Sequence, residues 1–202
     1  MKKGLLMVIS GPAGSGKGTV GQHLIQTGDF VYSVSATTRA PRPGEIDGVN
    51  YHYISHEQFK AHIDADELLE YTEYCGNYYG TIKKEAYAIL ESGKNLILEI
   101  EVEGAQNIKR IHPDAVLIML LPPTFATQEQ RLRGRATETE EKILARLEQT
   151  KWEIEQLDIY DYIVYNLDGG AADAADDVRA IVRAENLSRR RNPNAKEKYF
   201  EK

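Results

Sequence analysis

Cysteine is nearly missing from this chain: Cys75 is the only one in 202 residues. One thiol can form neither an internal disulfide nor a multi-cysteine zinc site, a pattern that fits a reducing compartment. Long apolar runs are missing as well. Lys2 and Lys3 precede only Leu5-Leu6-Met7-Val8-Ile9, a run too short to span a bilayer and lacking a cleavage site. The expectation is a soluble, cytoplasmic protein with no membrane partner. Excess positive charge is missing too. A net charge of −6 argues against nucleic acid as a partner, so any bound anion must be met by local arginine clusters. There is no internal repeat and no low-complexity linker. The five histidines (His23, His52, His56, His62, His112) show no metal-ligand spacing. What is present is 42% hydrophobic residues, enough for one domain with a sizeable core.

The most informative stretch is Ser10-Gly11-Pro12-Ala13-Gly14-Ser15-Gly16-Lys17-Gly18-Thr19. An apolar strand-like run precedes it. A helical stretch from Lys17 to about Thr27 follows, with Val20, Leu24 and Ile25 as its apolar stripe. A strand feeding a glycine-rich turn that opens a helix is the context of a phosphate-binding loop. Backbone N–H groups and the helix N-terminus then face an anion. Lys17 adds a full charge for the β/γ-phosphates. Gly18 stands where the usual pattern has Ser or Thr, and Thr19 comes next. The Gly-Lys-Gly-Thr form is similar to that of nucleoside monophosphate kinases, and it implies Mg²⁺ held largely through phosphates and water.

Further along, strands are expected at 30–35, 49–55, 68–74, 95–101, 115–121 and 161–166. Helices are expected at 56–64, from after Thr81 to Leu90, at 103–111, through 124–156 and at 172–190. Ser55 and Gln58 read as a capping box. Strands alternating with helices predict a parallel α/β sheet. The stretch 35–81 reads as a small, mostly β insertion, and residues 191–202 as a frayed polar tail. In Glu99-Ile100-Glu101 the strand period puts both carboxylates on one side at a strand's carboxyl end. Open α/β sheets bind ligands there, so Glu99 is a candidate for Mg²⁺-water contact and Glu101 for a base edge.

A second cluster gathers Ser35, Arg39, Arg42, Tyr51, Glu70, Tyr79 and Thr81. Two arginines on one proline-rich loop suit a phosphate, because each guanidinium makes forked, charge-assisted pairs. Tyrosine hydroxyls add neutral donors. Glu70, Ser35 and Thr81 offer acceptors and donors complementary to the edge of guanine.

These segments resemble the guanylate kinase family over about residues 4–187. The resemblance is carried by Gly11–Thr19, by Ser33-Val34-Ser35-Ala36-Thr37-Thr38-Arg39-Ala40-Pro41-Arg42-Pro43-Gly44-Glu45, and by Tyr51-His52-Tyr53. Asn77-Tyr78-Tyr79-Gly80-Thr81, Leu98-Glu99-Ile100-Glu101 and Arg131-Leu132-Arg133-Gly134-Arg135 complete it. It implies a phosphate-loop core of parallel sheet flanked by helices (4–34, 82–123 and 147–187). A mixed α/β GMP-binding insertion (35–81), a helical lid (124–146) and a polar tail (188–202) complete the expected organisation.

The resemblance also implies roles. ATP would lie on Gly11, Pro12, Ala13, Gly14, Ser15, Gly16, Lys17, Gly18 and Thr19, with Thr19 and Glu99 nearest Mg²⁺. Arg39, Arg42, Tyr51 and Tyr79 would bind the GMP phosphate, while Ser35, Glu70, Thr81 and Glu101 would read the guanine. Lys17, Arg39, Arg131, Arg135 and Arg146 would stabilise the transferred phosphoryl group. The implied reaction is ATP plus GMP (or dGMP) to ADP plus the diphosphate, in purine nucleotide metabolism. The chain departs from the family pattern at four places: Glu101 for aspartate, Glu103 for glutamine, Ala136 for a lid glycine, and Asn166-Leu167-Asp168 for an asparagine with two aspartates. The resemblance would place an adenine contact at Asn166. Two other readings stay open from sequence. One is a different nucleoside monophosphate kinase, and the other is a catalytically silent relative that binds phosphopeptides.

Overall fold

The computed structural model describes residues 3–74, 76–134 and 139–201. Cys75, Arg135 and Ala136 lie outside the described residues. Five strands form one parallel sheet: β1 (Leu6–Ser10), β2 (Phe30–Tyr32), β7 (Asn95–Leu98), β8 (Val116–Leu121) and β9 (Tyr162–Tyr165). Their spatial order is β2-β7-β1-β8-β9, which makes β1 the central strand. Four shorter strands make a second sheet in the order β4-β3-β6-β5: β3 (Ala36–Thr37), β4 (His52–Tyr53), β5 (Leu68–Tyr74) and β6 (Asn77–Ile82).

The parallel sheet is covered on both faces, which explains why its strands read as continuous apolar runs rather than as alternating ones. All six residues of β8 are buried. One face packs Met7, Ile9, Phe30 and Ile97 against Val20 and Leu24 of α1 (Lys17–Ile25) and Val178 of α7 (Ala171–Leu187). The other packs Val8, Leu96, Leu98 and Leu117 against Leu90 of α3 (Lys83–Glu91) and Ile108 of α4 (Val102–Ile111). The helix α2 (His56–Asp64) covers the second sheet with Phe59, fully buried beside Ala36 and Leu68. Its start is a capping box: Ser55 Oγ accepts from the Gln58 N–H, and the Gln58 side chain accepts from the Ser55 N–H.

Several expected elements are shorter than the sequence suggests. The first helix ends at Ile25, which is 40% exposed and so lies off the buried stripe. The run 30–35 divides: Phe30–Tyr32 joins the parallel sheet, and the chain then crosses to the second sheet at Ala36. Of the expected strand at 49–55 only His52–Tyr53 joins the sheet, with Tyr51 in an isolated bridge to Asp47, because the preceding residues turn, with Val49 and Asn50 N–H groups both bonded to the Ile46 carbonyl. Residues 77–82 are a full strand antiparallel to β5, not merely an approach to the next helix. The helical stretch 124–156 is broken into α5 (Phe125–Gly134) and α6 (Glu140–Glu155). The tail is not frayed throughout. Arg190 and Arg191 both pair with buried Glu185, and residues Ala195–Phe200 form a short helix.

Candidate active site

Ser10 closes the central strand, and the chain turns through Gly11–Gly16 into α1. Gly16 holds φ at 90°, and a Cβ there would lie 2.2 Å from the Asn166 Nδ2, so only glycine fits. Four loop carbonyls are held by side chains. Lys17 Nζ donates to Gly11 O at 2.6 Å, Gln128 Nε2 to Ala13 O at 3.0 Å, Arg131 Nη1 to Gly14 O at 3.4 Å and Asn166 Nδ2 to Ser15 O at 2.8 Å. A loop whose C=O groups are engaged in this way presents its N–H edge, and the positive end of α1, to an anion. The loop borders a cavity of about 420 Å³ whose walls include Gly14, Lys17, Gly18, Thr19, Glu99 and Arg146.

The second cluster is built on the loop after β3. Arg39 forms a forked pair with Glu45, its Nη1 and Nη2 donating at 3.0 and 2.9 Å. Glu45 also accepts from the Arg42 backbone N–H at 2.6 Å and from the Tyr53 hydroxyl at 2.8 Å. The Arg39 pair, then the Arg42 N–H, hold the Glu45 carboxyl down at about 2. The guanidinium lies 5.5 Å from the centre of the Tyr51 ring, and Tyr51 meets Tyr79 edge-on at 6.1 Å. Arg39, Tyr51 and Tyr79 are thus brought together, and Arg42 joins through its backbone. Sequence reasoning assigned no role to Glu45 or Tyr53. Their signal was the turn at Pro43-Gly44, which folds Glu45 back so that its N–H bonds the Arg42 carbonyl at 3.0 Å.

Deeper in this sheet, Glu70 and Thr81 are register partners on β5 and β6. Thr81 Oγ1 donates to Glu70 Oε1 at 2.8 Å, and both side chains are buried. Burial pushes the Glu70 carboxyl up to about 7. Ser35 sits just before β3, its carbonyl accepting from the His52 N–H at 2.9 Å.

Glu99 and Glu101 are not strand residues, contrary to the alternation argument. The strand β7 ends at Leu98, and Glu101 is the N-cap residue of α4. Ser10 Oγ donates to the Ile100 carbonyl at 2.9 Å, which ties this connection to the end of the central strand. Glu99 faces the cavity and accepts from the Tyr32 hydroxyl at 3.1 Å. Its charge is also felt at Tyr51, whose phenol is raised first by burial and then by neighbours that include Tyr79 and Glu99.

Of the expected arginine clamp, Arg146 lines the cavity and Arg135 lies outside the described residues. Arg131 is engaged at the phosphate loop. Its Nη2 donates to the Asn166 carbonyl at 2.8 Å and to Asp168 Oδ1 at 2.7 Å, beside the contact with Gly14. Asn166 itself is 6% exposed and braces Ser15, a placement at odds with an adenine contact. Glu153 on α6 was not foreseen. Burial, with help from Glu101 and against Lys17 and Arg146, raises its carboxyl to about 7. Its Oε2 and the Ser15 Oγ are buried without a hydrogen-bond partner among the described residues.

A parallel sheet with a phosphate loop after its central strand, together with an arginine–tyrosine cluster on a second sheet's loop, defines a phosphate-loop α/β protein of the nucleotide-kinase kind. The family model described as guanylate kinase matches residues 3–185. A guanylate kinase of Halalkalibacterium halodurans is 51% identical over 94% of this chain and 93% of that protein. One of Carboxydothermus hydrogenoformans is 44% identical over 95% and 93%. The crystal structure of guanylate kinase from Anaplasma phagocytophilum superposes with a TM-score of 0.74 at 30% identity, covering 93% of this chain and 89% of that one. The chain belongs to the guanylate kinase family.

Proposed function

We propose that the protein transfers the γ-phosphoryl group of ATP to GMP, giving ADP and GDP, with dGMP as a second acceptor. The observation that carries this reading is a phosphate-loop cavity lined by Lys17, Glu99 and Arg146, in a chain that also gathers Arg39, Tyr51 and Tyr79 in a second cluster. Two anion sockets of this chemistry suit a donor and an acceptor phosphate.

Phosphoryl transfer of this type asks the protein for alignment and charge stabilisation, not for covalent chemistry. The loop amides and Lys17 would hold the β- and γ-phosphates, and Arg39, Arg42, Tyr51 and Tyr79 the acceptor phosphate. Glu70, Thr81, Ser35 and Glu101 would read guanine. Arg131 would keep the loop in shape while Arg146, with Arg135, stabilises charge on the moving group. Among the described residues no cluster of three acidic, histidine or cysteine side chains could cage a metal. The oxygen-bearing side chains that line the cavity, Glu99 and Thr19, suit instead a Mg²⁺ ion held mainly by phosphates and water. That ion would neutralise charge between the β- and γ-phosphates. No helix among the described residues is long and apolar enough to cross a membrane. With its lone thiol, the reading places the protein in the cytoplasm, in purine nucleotide metabolism.

The test is a coupled assay of ADP release with Mg²⁺ against a panel of nucleoside monophosphates. GMP and dGMP turn over far faster than AMP or UMP. Faster turnover of AMP or UMP overturns the guanine assignment, and a lack of ATP affinity in calorimetry points to a phosphopeptide-binding module instead.

The forked Arg39–Glu45 pair yields a narrower expectation. Glu45→Gln loosens the guanidinium that would grip the acceptor phosphate, so KM for GMP rises about tenfold while KM for ATP holds. Steady-state kinetics with each substrate varied in turn checks this, and an equal rise in both KM values contradicts it.

A further inference from the structure

We propose that Tyr32 is a positioning residue for phosphoryl transfer, its hydroxyl fixing the Glu99 carboxylate at the wall of the phosphate-loop cavity. The inference rests on the transfer reaction proposed above and assigns a part in it to a side chain outside both anion sockets.

Tyr32 is the last residue of β2 and pairs in parallel register with Ile97 of β7. The two side chains therefore leave the sheet on the same face, the one packed by α1. Glu99, two residues beyond Ile97 and past the end of the strand, returns to that face and accepts the Tyr32 hydroxyl at 3.1 Å. Nothing in the regular strand would hold Glu99 there, because β7 has already ended at Leu98.

The helix α1 is shaped around the phenol. A Cβ built on Gly21 would lie 1.5 Å from Tyr32 Oη and 2.4 Å from Cζ. Any larger residue at this buried helical position would drive the ring out of its seat. A glycine in a helix interior costs about 1 kcal/mol against alanine, so its presence under the hydroxyl implies a tight requirement at that point. The phenol is half-buried beside the carboxylate, and its hydroxyl is a hydrogen-bond donor. Glu99 is exposed toward the cavity and would otherwise sample several rotamers. A half-buried donor that selects one of them preorganises a charge that would face the substrates' phosphates and a hydrated Mg²⁺.

Tyr32→Phe removes only the hydroxyl and keeps the ring, so the packing against α1 is retained. Wild-type protein must first turn over GMP in the coupled assay; absence of that activity counts against the reaction, not against Tyr32. Given turnover, Tyr32→Phe lowers kcat about tenfold, as befits a lost hydrogen bond to a charged group, raises the Mg²⁺ concentration for half-maximal rate, and leaves KM for GMP within about twofold. In calorimetry the variant binds ADP with Mg²⁺ more weakly than wild type but binds ADP without Mg²⁺ equally well. In a Glu99→Gln background the same change adds little, since the two residues act as one unit. Unchanged kcat and Mg²⁺-ADP affinity, or an equal cost in the presence and absence of Glu99, overturns the proposal and leaves Tyr32 a packing residue only.

Discussion

Lys17→Ala lowers turnover on the order of 10²-fold or more while leaving the affinity for GMP largely intact. The reasoning begins at the loop. Lys17 is the first residue of α1, and its Nζ reaches back to the Gly11 carbonyl at 2.6 Å. The ammonium thereby bridges the start and the end of the glycine-rich turn, beside the cavity that Thr19 and Glu99 also line. In the transfer, negative charge spreads over the moving phosphoryl group, and a preplaced cation stabilises that charge more than it stabilises bound ATP. Its removal is therefore felt in kcat. The acceptor side does not depend on it, because Arg39 takes its geometry from Glu45 and Tyr51 in the segment between β3 and β4. Single-turnover kinetics paired with GMP titration checks both halves. A variant with near-normal turnover would remove Lys17 from the proposed role, and one that loses GMP affinity equally would show the two sockets to be a single unit.

The parts of this architecture that were legible in the sequence are those governed by local chemistry. The glycine loop, the Ser55 capping box and the all-apolar run of β8 each follow from a few adjacent residues, and the structure has them in place. What could not be read depends on residues far apart in the chain. The carbonyls of the phosphate loop are held by Gln128 and Asn166, more than a hundred positions away. The family resemblance suggests an adenine contact for Asn166, and its sequence neighbourhood gives no sign that its amide is committed to Ser15. Glu99 and Glu101 were paired by strand periodicity, which fails because β7 ends one residue before Glu99. Glu153 is an unremarkable helix residue in sequence, and only its burial near Lys17, Glu101 and Arg146 raises its carboxyl. The dissection of 30–37 into two strands of different sheets was likewise invisible, since Val34 and Ser35 have strand-like neighbours on both sides.

Glu70→Gln has two effects of opposite sign: the free protein becomes more stable at pH 8, and the preference for GMP falls. Glu70 is 5% exposed, and its partner is a neutral hydroxyl, Thr81 Oγ1. Burial without a cation disfavours the ionised form, which is why the carboxyl titrates at about 7 instead of its usual 4.5. The folded state thus keeps a proton that the unfolded chain gives up. Below pH 4.5 both states are protonated and nothing is lost. Between about 4.5 and 7 the unfolded state releases the proton first and stability falls, and above 7 the loss is constant, on the order of 3 kcal/mol. Glutamine cannot ionise and still accepts from Thr81, so the variant recovers up to about that amount at pH 8 and none at pH 4. Glu153 still titrates in the variant, so its denaturation midpoint falls less steeply between pH 4.5 and 7 than that of wild type, without becoming flat. The destabilisation has a use if guanine is the ligand. The base offers N–H donors at N1 and N2, which favour the carboxylate over the acid, so GMP binding near pH 6.5 drives proton release that the variant lacks. The lost charge lowers discrimination for GMP by about 1–3 kcal/mol. Urea denaturation across pH checks the first effect, and calorimetry of GMP in two buffers of different ionisation enthalpy checks the second. Equal proton release by wild type and variant would mean that Glu70 does not meet the base.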